Sequence, residues 1–195
     1  MTEFAEDELI FLPLGGAGEI GMNLNLYGFS GQWLMVDLGV TFADGDVPGV
    51  DLITPDPTFI ADRRDDLAGL IITHAHEDHL GAVAYLWKRL QCPVWATPFA
   101  SNLLRNKLRE VGVLDKVPLH KIEPGERLDI GPFNIDFVPL THSTLEMNAL
   151  AIRTGAGLVL QTGDCKLDPE PLVGPKSDQD ALRLLGDEGV MAMIG

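Results

Sequence analysis

The sequence predicts an α/β protein built in layers. Short apolar segments with a period of two recur along the 195 residues, and this period is typical of β-strands with one buried face. Two segments within residues 80–111 instead place apolar residues three and four positions apart, which is typical of amphipathic helices. Strands that alternate with helices indicate stacked layers of sheet and helix.

The first half of the chain predicts strands at residues 9–12, 23–29, 32–37, 69–73 and 93–96. A short helix is expected at 59–67, and longer helices are expected from Leu80 to the residue before Pro93 and from Pro98 to Gly112. Residues 41–57 are rich in Pro, Gly and Asp and predict a long loop. Its carboxylates lack the spacing of an EF-hand and are expected to be solvated: Asp44, Asp46, Asp51 and Asp56.

From residue 113 onward, strands joined by turns are expected, including residues 133–140 and a hairpin of 149–154 with 157–162. Ser177 is expected to cap a helix that stops at Gly186. Residues 190–195 form an apolar strand at the end of the chain, where we expect that the natural polypeptide was cut.

Composition narrows the class of protein. Hydrophobic residues make up 46% of the chain, and the net charge of −15 argues against a nucleic-acid-binding protein that works through bulk positive charge. Cys92 and Cys165 are expected to be buried free thiols, which suits a reducing compartment. Residues 1–8 predict a flexible acidic terminus rather than a secretory signal, and no apolar run reaches membrane-spanning length. We expect a soluble, cytoplasmic protein without a membrane partner.

A glycine-rich segment near the start has the spacing of a nucleotide-binding turn, but the residues that follow it argue against a nucleotide cofactor. Gly16, Gly18 and Gly21 have the spacing of a dinucleotide-binding turn, which requires a helix to begin inside the turn. Residues 23–29 alternate as a strand instead. We interpret the segment as a strand–loop–strand connection whose glycines let the backbone pass close to another feature, such as a metal pocket.

The strongest chemical signal is the segment Thr73-His74-Ala75-His76-Glu77-Asp78-His79, which follows an apolar strand. Imidazoles and carboxylates are the usual ligands of zinc and similar divalent ions. A histidine-rich surface loop is the alternative interpretation, but three histidines and an aspartate within six positions favour a metal site. Side chains spaced in this way along a tight turn can point in two directions and serve two ions.

Other strands also end in polar side chains. His142 and Asp164 each follow a predicted strand, as in the first cluster. Asp37 either bonds its own turn or orients a ligating histidine, and the sequence leaves both interpretations open. His120 stands alone and is expected at the surface.

A set of residues spread over the chain resembles the motif of the metallo-β-lactamase superfamily: His74, His76, Asp78, His79, His142 and Asp164. The resemblance implies an αββα sandwich with two metal ions in a groove at one edge. Residues 14–23, 48–56, 141–143 and 162–168 further resemble the ribonuclease J branch, whose members cleave RNA as endonucleases and as 5′-to-3′ exonucleases.

The resemblance also implies roles for these residues. Two ions can share a hydroxide as the nucleophile and stabilise the oxygens of a phosphodiester, so Asp78 and Asp164 count as catalytic. Zinc is the expected metal, with manganese as the alternative. The implied arrangement is one ion on His74, His76 and His142, a second on Asp78 and His79, and a bridge through Asp164.

The sequence departs from the family pattern in two ways, and both suggest that part of the family's structure is missing from it. The pattern requires a further histidine on the second ion, and no histidine follows His142. Family members also carry a beta-CASP domain inserted in the sandwich. Residues 9–195 are therefore expected to form a metallo-β-lactamase-like domain truncated before that insertion, with weak metal occupancy and little or no ribonuclease activity alone. RNA and further copies of the chain are the expected partners of the complete protein.

Three alternatives remain open. A hydrolase of a thioester, lactam or lactone would use the same ion pair. A non-catalytic module in an RNA-processing assembly would fold around one ion without turnover. A nucleotide-binding oxidoreductase is the weakest alternative, because the glycine segment lacks the required helix.

Overall fold

The computed structural model describes residues 5–43, 48–123 and 125–195. Two of the carboxylates expected to be solvated, Asp44 and Asp46, lie outside these ranges, as do the first four residues of the acidic terminus. Of the other two, Asp51 is exposed. Asp56 Oδ1 accepts hydrogen bonds from the backbone N (2.9 Å) and Oγ1 (2.5 Å) of Thr58.

The strands are, in chain order, β1 (Ile10–Gly15), β2 (Leu24–Phe29), β3 (Gln32–Val36), β4 (Thr41–Phe42), β5 (Leu52–Ile53), β6 (Leu67–Ile72), β7 (Val94–Ala96), β8 (Leu119–Lys121), β9 (Arg127–Ile130), β10 (Phe133–Pro139), β11 (Asn148–Thr154), β12 (Gly157–Gln161) and β13 (Val190–Ile194). The helices are α1 (Thr58–Ala61), α2 (Glu77–Leu80), α3 (Val83–Leu90), α4 (Pro98–Glu110) and α5 (Gln179–Glu188).

Two sheets form the centre of the protein. The first has the order β1-β2-β3-β6-β7-β8 and the second has the order β13-β12-β11-β10-β9. In the first sheet, β3, β6, β7 and β8 are parallel, with helical segments in the connections between them. In the second sheet β12 and β13 are parallel, and the other pairs are antiparallel.

Three apolar layers join these elements. Side chains such as Tyr27, Val36, Phe133 and Ile152 form a core between the two sheets. The outer face of the first sheet packs against α1 to α4, and the outer face of the second sheet packs against α5 through Leu185. This helix–sheet–sheet–helix arrangement confirms the predicted αββα sandwich.

The main correction concerns the histidine segment. A turn was expected before a helix starting near Leu80, but Glu77, Asp78 and His79 already lie in α2, because the carbonyl of His76 accepts hydrogen bonds from the backbone N of His79 and Leu80. The expected single helix is therefore split into α2 and α3 at residues 81 and 82.

Smaller corrections follow from pairing and capping. The expected loop 41–57 contains the antiparallel pair β4–β5, and Pro13 lies inside β1, an edge strand, where a missing backbone N–H is tolerated. Asp178, rather than Ser177, caps α5 by accepting a hydrogen bond from Ala181 N at 2.9 Å. The helix continues through residue 186 and ends before Gly189.

Within the described ranges, none of the helices combines the length and apolar character needed to cross a membrane.

Candidate metal centre

The candidate metal-binding residues lie at one edge of the sandwich. β3 and β6 are parallel in the first sheet, and their carboxyl ends lead to Asp37 and His74. β10 and β12 both run antiparallel to β11, so their carboxyl ends also share one edge and lead to His142 and Asp164. The fold thus brings together groups that are up to 127 positions apart in the chain.

Three imidazoles converge within hydrogen-bonding distance. His76 Nδ1 lies 3.2 Å from His74 Nε2 and 3.0 Å from His142 Nε2. A neutral ring carries one proton on its two nitrogens, so at most one partner can receive a proton from His76 Nδ1. Three such nitrogens within 4.8 Å of one another could hold a metal ion.

A second group forms around His79. Its Nε2 lies 3.5 Å from Asp78 Oδ2 and 3.4 Å from Asp164 Oδ2. His74, His79 and Asp164 also offer ligand atoms within 4.8 Å of one another. The structure therefore brings all six predicted residues together, but it places His74 beside both groups, whereas the sequence prediction placed Asp164 between them.

The buried carboxylate of Asp37 orients His79. Asp37 is 1% exposed, and its Oδ2 accepts a 2.7 Å hydrogen bond from His79 Nδ1. In the neutral ring that a metal ion would bind, this proton on Nδ1 leaves a lone pair on Nε2, which faces the other carboxylates. Asp37 Oδ1 also accepts the backbone N–H of Thr73 at 2.8 Å. Of the two roles left open by the sequence, the structure favours the orienting role.

Thr73 connects Asp37 to His74 and orients the His74 ring. Its hydroxyl lies 2.9 Å from Asp37 Oδ2 and 2.9 Å from His74 Nδ1. If the Thr73 hydroxyl donates to Asp37, its oxygen accepts a hydrogen bond from His74 Nδ1–H, which leaves His74 Nε2 as an acceptor. Sequence reasoning gave Thr73 no role, although a hydroxyl at the end of a strand beside a histidine was a usable signal.

The electrostatics favour a cation at this edge. Burial lowers the pKa of His74 to about 2, with a further contribution from the neighbouring histidines, so its ring is neutral and able to bind a metal. Burial alone would lower the pKa of His79, but the charge of Asp37 and hydrogen bonds to Asp164, Asp37 and Asp78 raise it to about 12. The carboxylates thus attract positive charge, which a bound divalent ion would supply in place of the proton.

Both carboxylates next to His79 are ionised. Hydrogen bonding to His79 lowers the pKa of Asp78 and of Asp164 below the usual range, and this outweighs burial. Burial and the charge of His76 lower the pKa of His142. Neutral imidazoles next to ionised carboxylates form the donor set that zinc and similar ions prefer, so the residues fit the metal that the fold implies.

Neighbouring segments hold the centre in place. Asn23 Nδ2 donates to the carbonyl of Asp78 at 3.0 Å and lies 3.2 Å from His79 Nε2. The loop after His142 is tied to the start of α4, because Glu146 accepts the backbone N–H of Phe99 at 2.8 Å. Glu146 was missed from the sequence, since its partner is 47 positions away and no local pattern joins them.

Other sequence predictions have mixed outcomes. Cys92 is buried, but the prediction for Cys165 was wrong, because this thiol is exposed in the segment after Asp164. His120 is exposed, as predicted, and its ring stacks on Trp95 at 5.1 Å. The glycine loop leads into strand β2 rather than a helix, and it lines the same cavity as His79.

The comparison with protein families decides the fold family. The profile described as "Beta-lactamase superfamily domain" matches residues 46–176, which is more than half of the chain. The chain belongs to the beta-lactamase superfamily. A solved structure supports this at the level of the fold: the metallo-beta-lactamase fold protein YhfI from Bacillus subtilis aligns with a TM-score of 0.58 and 18% identity over 82% of this chain and 64% of its own.

Curated relatives confirm the resemblance to the ribonuclease J branch. Ribonuclease J of Sinorhizobium meliloti is 48% identical over 193 residues, which is 97% of this chain and 34% of the relative. Ribonuclease J of Mycolicibacterium smegmatis is 44% identical over 91% of this chain and 32% of the relative, and that of Synechocystis is 36% identical over 95% and 29%. The chain spans about one third of the length of the curated relatives that it matches.

Proposed function

We propose that this chain is the metal-binding catalytic part of a ribonuclease J-like phosphodiesterase that hydrolyses RNA. The observation that carries the proposal is the convergence of imidazoles and carboxylates from both sheets at one edge of the sandwich. The similarity to relatives named ribonuclease J favours RNA over a thioester, lactam or lactone as the substrate.

The chain's own residues would divide the work between two ions, with zinc favoured by the histidines. Bound divalent ions would supply a water activated near neutral pH and positive charge for the phosphoryl oxygens. His74, His76 and His142 would hold the first ion through neutral rings. Asp78 and His79 would hold the second, and the ionised carboxylate of Asp164 lies beside His79, where it could serve both.

We propose that RNA is bound chiefly by the complete protein, which would also form homo-oligomers. The chain carries 14 Lys and Arg residues against 29 Asp and Glu residues, so bulk electrostatics would repel a polyanion. Metal ions in the centre would reverse this repulsion only locally.

The direct test is a graft. This chain would replace the 48% identical segment of the Sinorhizobium meliloti ribonuclease J, and cleavage of a labelled RNA would be measured beside hydrolysis of a thioester and a lactam. We expect RNA cleavage that His76→Ala reduces by at least about 100-fold, as for loss of a group central to the chemistry. Hydrolysis of the thioester or lactam without RNA cleavage would refute the assignment of the substrate.

A further inference from the structure

A cavity of about 450 Å³ adjoins the candidate metal centre on the side of His79. This volume lies within the range of about 300–1,000 Å³ typical of ligand pockets. Asp78 and Asp164 form part of its wall, the glycine loop at residues 16–21 forms another part, and two buried amides, Asn25 and Gln161, complete it. The candidate ligands account for only one side of this cavity.

The orientation of the Gln161 amide is fixed by a buried tyrosine. Gln161 is 4% exposed, and its Oε1 accepts a hydrogen bond from the hydroxyl of Tyr27, which is fully buried between the sheets. Burial and the charge of Asp37 raise the pKa of Tyr27, so the phenol keeps its proton and acts as the donor. Gln161 Nε2 is therefore left as a donor on the other side of the amide.

This donor has no hydrogen-bond partner among the residues that the structure describes, and its residue lines the cavity. Asn25 is 9% exposed, lines the same cavity and likewise has no side-chain partner within the described ranges. The fully buried side-chain atoms without a partner lie elsewhere in the described residues, on Thr97, Ser101 and Asn148. Water in the cavity therefore reaches both amides, and a polar ligand would replace that water. Two such amides in one cavity indicate a site for a polar group.

The charge of the cavity limits the kind of ligand. Four carboxylates line it: Glu19, Asp37, Asp78 and Asp164. No Lys or Arg is among the lining residues that the structure describes. These carboxylates would therefore repel a phosphate group inside the cavity, whereas an uncharged group with an oxygen acceptor would match Gln161 Nε2. A hydroxyl fits best, because it can accept from one amide and donate to the other.

We propose that this cavity binds the ribose next to the scissile phosphate, with Gln161 Nε2 donating a hydrogen bond to the 2′-hydroxyl. The proposal rests on the proposed function, because it takes RNA as the substrate. The 2′-hydroxyl is the group by which a protein can distinguish RNA from DNA at a given site. Gln161 would thus be a specificity-determining residue for ribose.

The test compares two nucleotides that differ only in this hydroxyl. Uridine 5′-monophosphate and 2′-deoxyuridine 5′-monophosphate would be titrated by calorimetry into the zinc-loaded 195-residue chain. We expect the ribonucleotide to bind about two- to tenfold more tightly, the ratio that one neutral hydrogen bond supports. The double variant Tyr27→Phe/Gln161→Met removes both partners of the buried hydrogen bond, so that no unpaired group remains, and should abolish the preference.

Two controls accompany this variant. Tyr27→Phe keeps the Gln161 amide but removes the hydrogen bond that fixes its orientation, so it should reduce the preference for the ribonucleotide without abolishing it. Asn102→Leu removes an exposed amide on α4 and should leave the ratio unchanged. Equal affinities in the unsubstituted chain, an unchanged ratio in the double variant, or no nucleotide binding at all would overturn the proposal for the ribose site.

A separate zinc titration distinguishes this failure from failure of the proposed function. Zinc binding with equal affinities for the two nucleotides would overturn the ribose site and leave the metal centre intact. A chain that binds no zinc would overturn both.

Discussion

Asp37 shows how one buried carboxylate can orient the residues of a candidate metal site without being one of its candidate ligands. It accepts hydrogen bonds from His79 Nδ1, from the backbone of Thr73 and from the hydroxyl of Thr73. It thereby holds a proton on His79 Nδ1 and fixes the backbone position from which His74 projects. Such supporting carboxylates matter for metal affinity because they set the ring orientation and increase the basicity of the ligand.

Asp37→Asn should weaken zinc binding by about 10–100-fold. An asparagine can still accept the N–H of Thr73 through its oxygen, but its NH₂ group would then face His79 Nδ1. His79 would have to move its proton to Nε2, and the lone pair that faces Asp78 and Asp164 would be lost. Competitive titration of zinc against a chromophoric chelator would measure the change.

Asp129→Asn provides the matched control for this prediction. Asp129 lies on β9, where its Oδ1 accepts a 2.6 Å hydrogen bond from Asn134 in an exposed position. The same chemical change there should leave zinc affinity unaltered. Equal zinc affinity in Asp37→Asn and in the unsubstituted chain would contradict the orienting role of Asp37.

At the scale of single residues, candidate ligands that lie close together in the chain could be predicted from the sequence. The spacing of His74, His76, Asp78 and His79 carried the signal, and the structure places these side chains together. Contacts such as those of Thr73 with Asp37 depend on the alignment of β3 with β6. A local pattern shows which face of each strand is buried, but which strands pair depends on contacts between segments that are far apart in the chain.

Among the elements, α2 is held against the segment after β3 by direct backbone contact. Leu38 N donates to the carbonyl of His79 at 2.7 Å, and Asn23 N donates to the carbonyl of Asp78 at 3.0 Å. A Cβ placed on Gly39 would overlap the carbonyl of Asp78 and lie 2.6 Å from His79 N. Only glycine permits this approach, so Gly39 helps to determine where two candidate ligands project.

Gly39→Ala should lower the free energy of unfolding by about 3 kcal/mol or more, as expected for a clash with backbone that cannot move aside. Gly186→Ala is the opposite control, because Gly186 lies inside α5 with open space where its Cβ would be. Alanine there should stabilise the protein by about 0.5–1 kcal/mol. Urea unfolding of both variants measures the two effects, and a neutral Gly39→Ala would contradict the packing argument.

A network of charged side chains connects α5 with the second sheet. Asp136 on β10 accepts hydrogen bonds from Arg127 at 2.5 Å and from Arg153 at 2.6 Å, and Arg153 also binds Glu188 of α5. Hydrogen bonding to Arg127 is the main cause of the lowered pKa of Asp136. A carboxyl group with a lowered folded-state pKa stabilises the protein above its unfolded-state pKa of about 3.9, and this stabilisation is lost as the pH falls through the folded-state value.

Asp136→Asn should therefore reduce stability by about 1 kcal/mol at pH 7. The difference from the unsubstituted chain should shrink as the pH falls below about 4, because Asp136 is then protonated in the unfolded state and, at still lower pH, in the folded state as well. Melting temperatures of the two proteins between pH 2 and 7 provide the measurement. A difference that stays constant across this range would show that the charge of Asp136 does not contribute to stability.

The elements themselves were largely predictable where periodicity was strong. The alternation of Phe133 to Pro139 and the spacing in α4 both gave the correct element. The failures lie at boundaries: α2 begins three residues early because backbone bonds to His76 start it, and α5 passes through Gly186 because packing of Leu185 outweighs the low helix propensity of glycine. The start of α2 and the end of α5 were thus both set by contacts that the local sequence pattern does not show.

At the scale of the whole molecule, the isolated chain is predicted to have little or no ribonuclease activity. It spans about one third of its ribonuclease J relatives. Within the described residues, the group around His79 shares His74 with the first group and otherwise has only His79 and two adjacent carboxylates. Its net charge of −15 also disfavours RNA binding. Incubation of the zinc-loaded chain with labelled RNA should give no cleavage above that of His76→Ala, and robust cleavage lost in that variant would contradict the prediction.

Residues that follow strands of both sheets meet at the candidate metal centre, and this arrangement has a consequence for stability. Each of the two candidate groups combines residues that follow strands of the first sheet with one residue, His142 or Asp164, that follows a strand of the second. A bound ion would therefore link the sheets across the inter-sheet core. Because a ligand that binds only the folded state stabilises it by mass action, zinc at 100 times its Kd should add about 2.7 kcal/mol.

For a protein of this size, that stabilisation corresponds to a rise of about 5–10 °C in the melting temperature. Thermal unfolding with zinc and with EDTA would measure it. His142→Ala should reduce the rise by removing one of the two residues that follow strands of the second sheet, whereas His120→Ala, an exposed histidine on β8, should leave it unchanged. An equal rise in both variants would mean that zinc does not use His142, because His142, unlike His120, belongs to one of the two candidate groups.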